Sequence, residues 1–162
     1  MNKRASFVTF WCALSLSNFC LANIPIAPGG YSLNIEILET AFGLINTDNE
    51  HSPVLTPTTE IPLVPHQSYG WVIRIRTLNP TVKWREEFTL PEKPNTWGEP
   101  DDSASYSLST DGLTSITEAE VSTKQGEISH AWQVAPGDPQ GRYVIRVFID
   151  GVIAKIFEFN VR

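Results

Sequence analysis

The stretch PGDPQGRYVIRVFIDGVIAKIFEFNV, from Pro136 to Val161, decides the fold of this chain. From Arg142 onward its residues alternate between two sets with a period of two, and one set is uniformly apolar, which is typical of a β-strand. Asp150-Gly151 then interrupts the pattern, and a second run rich in β-branched and aromatic residues begins at Val152. The order of strand, Asp-Gly turn and strand predicts a β-hairpin.

Charge across the hairpin bears on its register. A bare two-residue turn at Asp150-Gly151 would pair Ile149 with Val152. Arg146 would then lie opposite Lys155, and like charges opposite each other destabilise an antiparallel ladder.

A three-residue loop avoids this repulsion. With Gly151 left-handed in a G1 bulge, Phe148 pairs with Val152 and Arg142 faces Glu158. We therefore expect the bulged register. It places one set of apolar residues on a single buried face, namely Tyr143, Ile145, Val147, Ile153, Phe157, Phe159 and Val161.

The N-terminus has the pattern of a secretory signal peptide. A short basic start precedes a mostly apolar segment, residues 5–19, and the stretch ends in the small residue Ala22. We expect cleavage after Ala22, so that residues 1–22 form the signal peptide and residues 23–162 form one β-sandwich domain. The expected location is the periplasm or the exterior of the cell.

Removal of this segment would change the composition of the chain. Both cysteines, Cys12 and Cys20, would be lost, which excludes a disulfide framework, a thiol nucleophile and a cysteine zinc site. Loss of Lys3 and Arg4 leaves 10 basic residues against 18 acidic ones, so the formal net charge moves from −6 to −8. An acidic surface argues against nucleic acid and anionic lipid as partners. No later segment approaches the roughly 20 apolar residues of a membrane span.

Period-two patterns predict further strands before the hairpin. Residues 41–59, between the first two of these strands, lose the period-two pattern and contain glycine, asparagine and proline, so we expect a long loop there. The predicted strands are Tyr31–Glu39, Glu60–Val64, Tyr69–Arg76, Val82–Phe88, Ser103–Ser109, Ser115–Thr123 and Glu127–Gln133.

The strands on either side of Asn79-Pro80 have the clearest alternation of this group. We expect them to form an antiparallel pair through that turn. Their polar positions should face water, and these positions are Arg74, Arg76, Lys83, Arg85 and Glu87. Interruption by glutamates favours a solvated sheet face over a basic binding stripe.

Few residues suggest catalytic or metal chemistry. The three histidines are widely separated, without HxH or HExxH spacing, so we predict no metal, no cofactor and no catalytic residue. Ile128, His130 and Trp132 share a face, which predicts a buried or half-buried His130 beside Trp132. Glu86 interrupts an otherwise apolar strand face. It is either exposed near a strand end or buried with a partner, and we expect the exposed position.

One tryptophan lies in an aperiodic loop, residues 91–103, that is rich in proline. Trp97 could stack on a sugar ring or anchor a partner protein, with the carboxylates of Glu99, Asp101 and Asp102 accepting hydroxyl hydrogen bonds. The alternative is that Trp97 folds back and caps one end of the core.

The hairpin also carries a family resemblance. Residues 141–151 followed by residues 157–161 resemble the last two strands of bacterial immunoglobulin-like or fibronectin-III-like domains, and residues 132–137 resemble the lead-in to such strands. With residues 70–74, the chain is similar to small exported bacterial domains that have no assigned function. The resemblance implies an all-β fold, a single immunoglobulin-like antiparallel β-sandwich of about seven to nine strands. It transfers no functional residue, because it rests on core and turn positions.

Three hypotheses for function follow. The first is a non-enzymatic exported module that binds a protein partner, through a sheet edge or the Trp97 loop. The second is a carbohydrate-binding module with Trp97 as its stacking platform and Trp84 as a second candidate platform. The third, a hydrolase, is the least supported, because it needs His130 or His66 to meet a carboxylate and a hydroxyl in one cleft.

Overall fold

The structure is a computed structural model that describes residues 35–47, 53–97 and 104–162. Within these ranges the chain forms strands and connecting turns. The strands are β1 (Ile35–Thr47), β2 (Pro53–Pro57), β3 (Glu60–Ile61), β4 (Ser68–Thr77), β5 (Thr81–Thr89), β6 (Ser105–Leu108), β7 (Thr114–Ser122), β8 (Glu127–Gln133), β9 (Gly141–Ile149) and β10 (Val152–Val161).

The strands form two sheets that pack face to face. The four-stranded sheet has the order β2-β1-β4-β8, and the six-stranded sheet has the order β3-β10-β9-β5-β7-β6. All pairs are antiparallel except β3 with β10, which is parallel. The predicted all-β sandwich is confirmed, and its ten strands slightly exceed the predicted number.

The additional strand lies where a loop was predicted. Residues 41–59 do not form one long loop, because β1 continues to Thr47 and β2 pairs with its second half. Phe42 and Leu44 keep the period of two and pack on the core. Gly43 allows the close approach of β2, since a Cβ at this position would overlap the carbonyl of Thr56. The glycine and prolines that suggested a loop instead lie in the close pairing of β1 with the edge strand β2.

The predicted pairing of β4 with β5 is wrong. Each strand exists as expected, but β4 lies in the four-stranded sheet and β5 in the six-stranded sheet. Both strands have one aromatic face, and the sandwich buries both faces against each other. The rings of Trp71 and Trp84 meet edge to face with 5.7 Å between their centroids. The basic residues of the two strands therefore lie on opposite outer surfaces and form no single stripe.

The turn of the final hairpin also differs from the prediction. Ile149 pairs directly with Val152, so the loop has two residues and not three. Asp150 and Gly151 both have positive φ, 47° and 81°, as a two-residue hairpin turn that follows the strand twist requires. The left-handed Gly151 was predicted correctly, whereas the loop length was not.

A bulge inside β10 removes the repulsion that the two-residue turn would create. The register shifts between Ile153 and Lys155, so Arg146 faces Ile156 and not Lys155. The same shift reverses the parity of the strand and leaves Ile153 54% exposed, although it was expected in the core. The repulsion between Arg146 and Lys155 is avoided, as expected. The bulge that avoids it lies three residues beyond Gly151 and not in the turn.

The predicted ionic contact at the far end of the hairpin forms on a diagonal. Arg142 pairs with Asn160 in the ladder, and its guanidinium reaches the carboxylate of Glu158 at 2.5 Å. On the core side Tyr143 is buried as expected, and its hydroxyl donates to the carbonyl of Pro139 at 2.7 Å. Such a tyrosine corner is common at the equivalent turn of immunoglobulin-like sandwiches.

Candidate functional site

A buried polar cluster connects the two sheets. Glu86 on β5 has no exposed surface, and its carboxylate points toward β4 and β8 of the opposing sheet. The indole N–H of Trp71 donates to Oε2. The indole N–H of Trp132 donates to Oε1 at 2.8 Å, and Nδ1 of His130 lies 3.1 Å from the same oxygen. Three nitrogens from one sheet thus converge on a single carboxylate from the other.

The expectation that Glu86 is exposed is wrong. It lies in the middle of β5, which is paired on one side with β7 and on the other with β9. Burial of a carboxylate is tolerated when hydrogen-bond donors surround it, and two indole N–H groups donate to this one, with Nδ1 of His130 beside them. The signal in the sequence was the alternation itself, which placed Glu86 on the same face as Trp84 and Phe88, together with tryptophan N–H groups that need acceptors. The prediction of a buried His130 beside Trp132 is confirmed, with 5.1 Å between ring centroids.

The chemistry open to this cluster is limited by its position. A carboxylate beside an imidazole is the pair that general base catalysis uses. Here the side chains of His130 and Glu86 are 1% and 0% exposed, and the indole N–H groups of Trp71 and Trp132 also bind the carboxylate. A substrate has no access to them while the sandwich is closed. The arrangement therefore serves to hold the two sheets in register.

Trp97 lies against the end of the core. Its side chain is 7% exposed, and its indole N–H donates to the carbonyl of Gly112 at 2.9 Å. The ring packs edge to face on Phe88 and on Trp132. A sugar could stack on Trp97 only if the ring left this position.

The three acidic residues predicted beside Trp97 lie outside the described residues. They are Glu99, Asp101 and Asp102. The structure therefore brings Trp97 to the core and does not report on the carboxylates, so binding by this loop stays a prediction.

The side of the sandwich formed by β1 and β10 is different. The chain passes from one sheet to the other between Thr58 and Thr59: the N–H of Thr58 donates to the carbonyl of Phe42 on β1, and the carbonyl of Thr59 accepts from the N–H of Asn160 on β10. Among the described residues, no strand continues either pairing beyond this crossing. We call the uncovered part, residues 35–41 of β1 and 152–158 of β10, the open flank.

The two halves of the open flank adjoin each other at one end. The ring of Phe42, directly after the flank residues of β1, contacts the rings of Phe157 and Phe159 on β10, with centroids 5.8 and 4.4 Å apart. The flank carries five of the ten exposed large hydrophobic side chains of the described residues. These five are Ile37, Leu38, Val152, Ile153 and Ile156.

Other surfaces have weaker features. The edge strand β8 has no exposed large hydrophobic residue, and β6 is only four residues long. A groove of about 480 Å³ lies on the outer face of the six-stranded sheet, between Phe148 and Glu118. Its central cation, Arg85, is already paired with Glu87 and Glu118 and lies over the ring of Phe148. The positive charge of Arg85 is therefore already paired within the groove.

Two absences concern the described ranges. No group of three or more histidine, cysteine, aspartate or glutamate side chains within residues 35–47, 53–97 and 104–162 is placed to hold a metal ion. In the same ranges there is no helix with the length and apolar character to cross a membrane.

Comparisons with known proteins agree on the fold. The profile of the PM0630 beta sandwich domain family matches residues 40–162. An immunoglobulin-like protein from Pseudomonas aeruginosa superposes on 82% of this chain and 100% of its own, with a TM-score of 0.59 and 14% identity. This likeness confirms the predicted immunoglobulin-like β-sandwich. The search of curated proteins found no match.

Two further solved structures have TM-scores under 0.5 and carry no argument. The Pseudomonas fluorescens alkylpurine DNA glycosylase AlkC, bound to DNA, matches 80% of this chain and 30% of its own at a TM-score of 0.40 and 13% identity. The human F-spondin reeler domain matches 77% of this chain and 90% of its own at a TM-score of 0.39 and 10% identity.

Proposed function

This chain belongs to the PM0630 beta sandwich domain family, and we propose that it is an exported, non-enzymatic module that binds a partner protein through the open flank. In this proposal residues 1–22 are the signal peptide, and the domain acts in the periplasm or outside the cell. The open flank is the observation that carries the proposal.

The physical reason is the combination of two features on one surface. Uncovered sheet edges present backbone N–H and C=O groups that can pair with another chain, and folded proteins normally protect such edges with charge, proline or short length. Contiguous exposed apolar side chains on a soluble protein mark interaction sites. β2 is protected, since Pro53 and Pro57 bound it, whereas residues 152–158 of β10 contain no proline and two charged residues, Lys155 and Glu158.

The other hypotheses have less support in the described residues. Trp97 is buried, which leaves a carbohydrate-binding role without a platform in the closed structure. The carboxylate and imidazole that a hydrolase would need are both enclosed in the core.

The test is capture with matched surface variants. The chain without its signal peptide is incubated, with a crosslinker, with an envelope extract of the cells that produce it. The flank variant is Ile153→Asp with Ile156→Asp. The control is Leu108→Asp, because Leu108 is 46% exposed on β6, at the edge of the six-stranded sheet opposite to β3 and β10.

We expect one protein to be captured by the unmodified chain and by the Leu108 control, and to be lost with the flank variant. Equal capture by all three chains would contradict it, and so would repeated absence of any captured protein. Binding to a glycan panel that disappears with Trp97→Ala would instead favour the carbohydrate hypothesis and overturn the proposal.

A further inference from the structure

We infer that the partner contributes an extended segment that adds as a strand to the edge of β10, with an acidic side chain opposite Lys155. This inference rests on the proposed function and deepens it, because it names the chemistry of what the open flank binds. A folded partner surface without such a strand would satisfy the proposed function alone.

The direction of the backbone groups along β10 can be read from its neighbours. The N–H groups of Asn160 and Arg162 donate to the carbonyls of Thr59 and Ile61, away from β9. Directions alternate along a strand, so the N–H and C=O groups of Ile156 and Glu158 point to the same side. No described strand lies there. Among the described residues, the four backbone groups of Ile156 and Glu158 therefore have no strand partner, in a row that bonds β3 farther along.

The existing β3 pairing shows that this edge accepts a strand. β3 pairs with Asn160 and Val161 and then leaves, since Thr58 bonds to β1. The uncovered part is seven residues, or about 23 Å at 3.3 Å per residue. A segment of about seven residues would continue the line of β3 along β10 and complete the ladder.

Side chains on both faces of β10 define what such a segment needs. On the outer face Ile153 and Ile156 are about half exposed. On the core face Phe157 is buried, while Lys155 is exposed opposite Val147. Aliphatic residues in alternation would cover the apolar positions.

The charge of Lys155 indicates which residue the added strand needs opposite it. Within the described residues Lys155 has no ion-pair partner, whereas Glu158 is bound by Arg142. An opposite charge across a ladder is stabilising, and a like charge is not. The added strand should therefore carry an aspartate or glutamate facing Lys155.

A second copy of the chain is the competing occupant, and charge disfavours it. Symmetric pairing of two β10 edges about Ile156 would place each Lys155 diagonal to its counterpart, within about 7–8 Å on the same face. The full chain also has a formal net charge of −6, which opposes self-association.

The experiment uses a peptide probe and the ¹⁵N-labelled chain without its signal peptide. The probe has nine residues, with valine at odd and threonine at even positions and glutamate in place of the third threonine. The glutamate then lies on the face of Lys155, and the valines lie on the face of Ile153 and Ile156. Control probes carry lysine in place of that glutamate, or N-methyl groups on alternate backbone nitrogens, which remove the strand's donors on one side.

We expect the glutamate probe to shift the amide signals of Ile156 and Glu158 and to slow their hydrogen exchange. The lysine probe should bind about two- to fivefold more weakly, and Lys155→Glu should reverse this preference. The probe that is N-methylated on the side facing β10 should not bind. Reversal by Lys155→Glu distinguishes a paired strand from nonspecific apolar contact.

Three outcomes would overturn the inference. One is absence of shifts at Ile156 and Glu158 with the glutamate probe at millimolar concentration, and another is equal binding of the N-methylated probe. The third is a dimer by analytical ultracentrifugation in which these amides are already protected, which would assign the edge to a second copy. If either of the first two occurs while capture still depends on Ile153 and Ile156, the inference fails and the proposed function stands.

Discussion

Two regions of this sandwich differ in whether their polar groups are bonded and their apolar groups are buried. Between β5 and β8, polar atoms are buried and hydrogen-bonded. Three side-chain nitrogens of the opposing sheet contact the carboxylate of Glu86, and Trp97 covers the adjacent end of the core. At the open flank, aliphatic side chains are exposed and backbone groups lie unpaired among the described residues. We call the first side the pinned side. From this difference we expect the larger effects on stability at the pinned side, and the open flank is the surface that we propose for binding.

The largest expected effect comes from removing the central carboxylate. Glu86→Ala would leave two indole N–H groups and His130 without their acceptor, and breaking a buried pair in this way costs about 3–5 kcal/mol. Urea unfolding measures this loss of unfolding free energy. The control is Glu87→Ala on the outer face of the same strand, with an expected cost within about 1 kcal/mol. Equal costs for the two variants would remove the distinction between pinned side and surface.

Removing the Trp97 side chain should have nearly as large an effect. Trp97→Ala deletes a ring packed on Phe88 and Trp132 and should cost about 3–4 kcal/mol. Trp97→Phe retains most of the packing and loses the bond to Gly112, so about 1 kcal/mol is expected. Urea unfolding again provides the comparison. Wild-type stability in Trp97→Ala would show that this residue does not belong to the pinned side.

The turn that sets the register of the open flank is expected to show a smaller effect. Gly151→Ala meets no steric obstacle, since no atom lies within 4 Å of the added Cβ, but the left-handed φ of 81° should cost about 1–2 kcal/mol. Asp150→Asn is the matched control, because asparagine tolerates the same conformation and keeps an acceptor for the N–H of Lys83. A cost below that of Asp150→Asn would contradict the two-residue turn.

The turn that anchors Trp97 should make stability depend on pH. The hydroxyl of Ser109 and the N–H of Leu113 donate to Asp111 and hold the pKa of its carboxyl below its usual value of 3.8. An acid with a lowered pKa stabilises the fold above its unfolded pKa, and the contribution disappears as pH falls through the folded pKa.

Asp111→Ala should therefore lower the melting temperature slightly at neutral pH, and the difference from the unmodified chain should shrink below about pH 3.8. Thermal unfolding across pH 2.5–7 measures this. Asp111→Asn, which keeps the oxygen acceptor, should show a smaller difference at neutral pH, and this difference should shrink over the same pH range because both variants lack the titrating carboxyl. A difference for Asp111→Ala that grows on acidification has the wrong sign for this account.

The smallest effect on stability is expected at the open flank itself. Ile156→Asp replaces a side chain that is 43% exposed and should change the unfolding free energy by about 0.5 kcal/mol or less. The same substitution should abolish capture of the partner. A loss of several kcal/mol would mean that Ile156 belongs to the core, and capture would then report misfolding.

Much of the fold could be predicted from local patterns. The boundaries of β8 and the two strands of the final hairpin follow from alternation, because half-buried strands carry a period of two. Which strands pair could not be predicted as well. The alternation in β4 and β5 shows that each has an aromatic face, but placement of those faces side by side or across the sandwich is decided by packing between sheets.

The candidate sites divide in the same way. Trp97 could be identified from its loop, but whether it caps the core depends on the distant carbonyl of Gly112. The partners of Glu86 lie 15 to 46 residues away along the chain, beyond the reach of any local pattern. The position of the open flank depends on where the chain passes from one sheet to the other, at Thr58. The sequence patterns on either side of Thr58 do not mark that crossing.

Native-state hydrogen exchange of the free chain tests the central claim most directly. If the edge of β10 is uncovered, the amides of Ile156 and Glu158 should exchange nearly as fast as in an unstructured chain, while those of Phe157 and Phe159, which face β9, should be strongly protected. This alternation along four consecutive residues is the predicted result. Equal, strong protection of all four amides would show that the edge is covered in the free chain, and would contradict the account of the open flank as a binding surface.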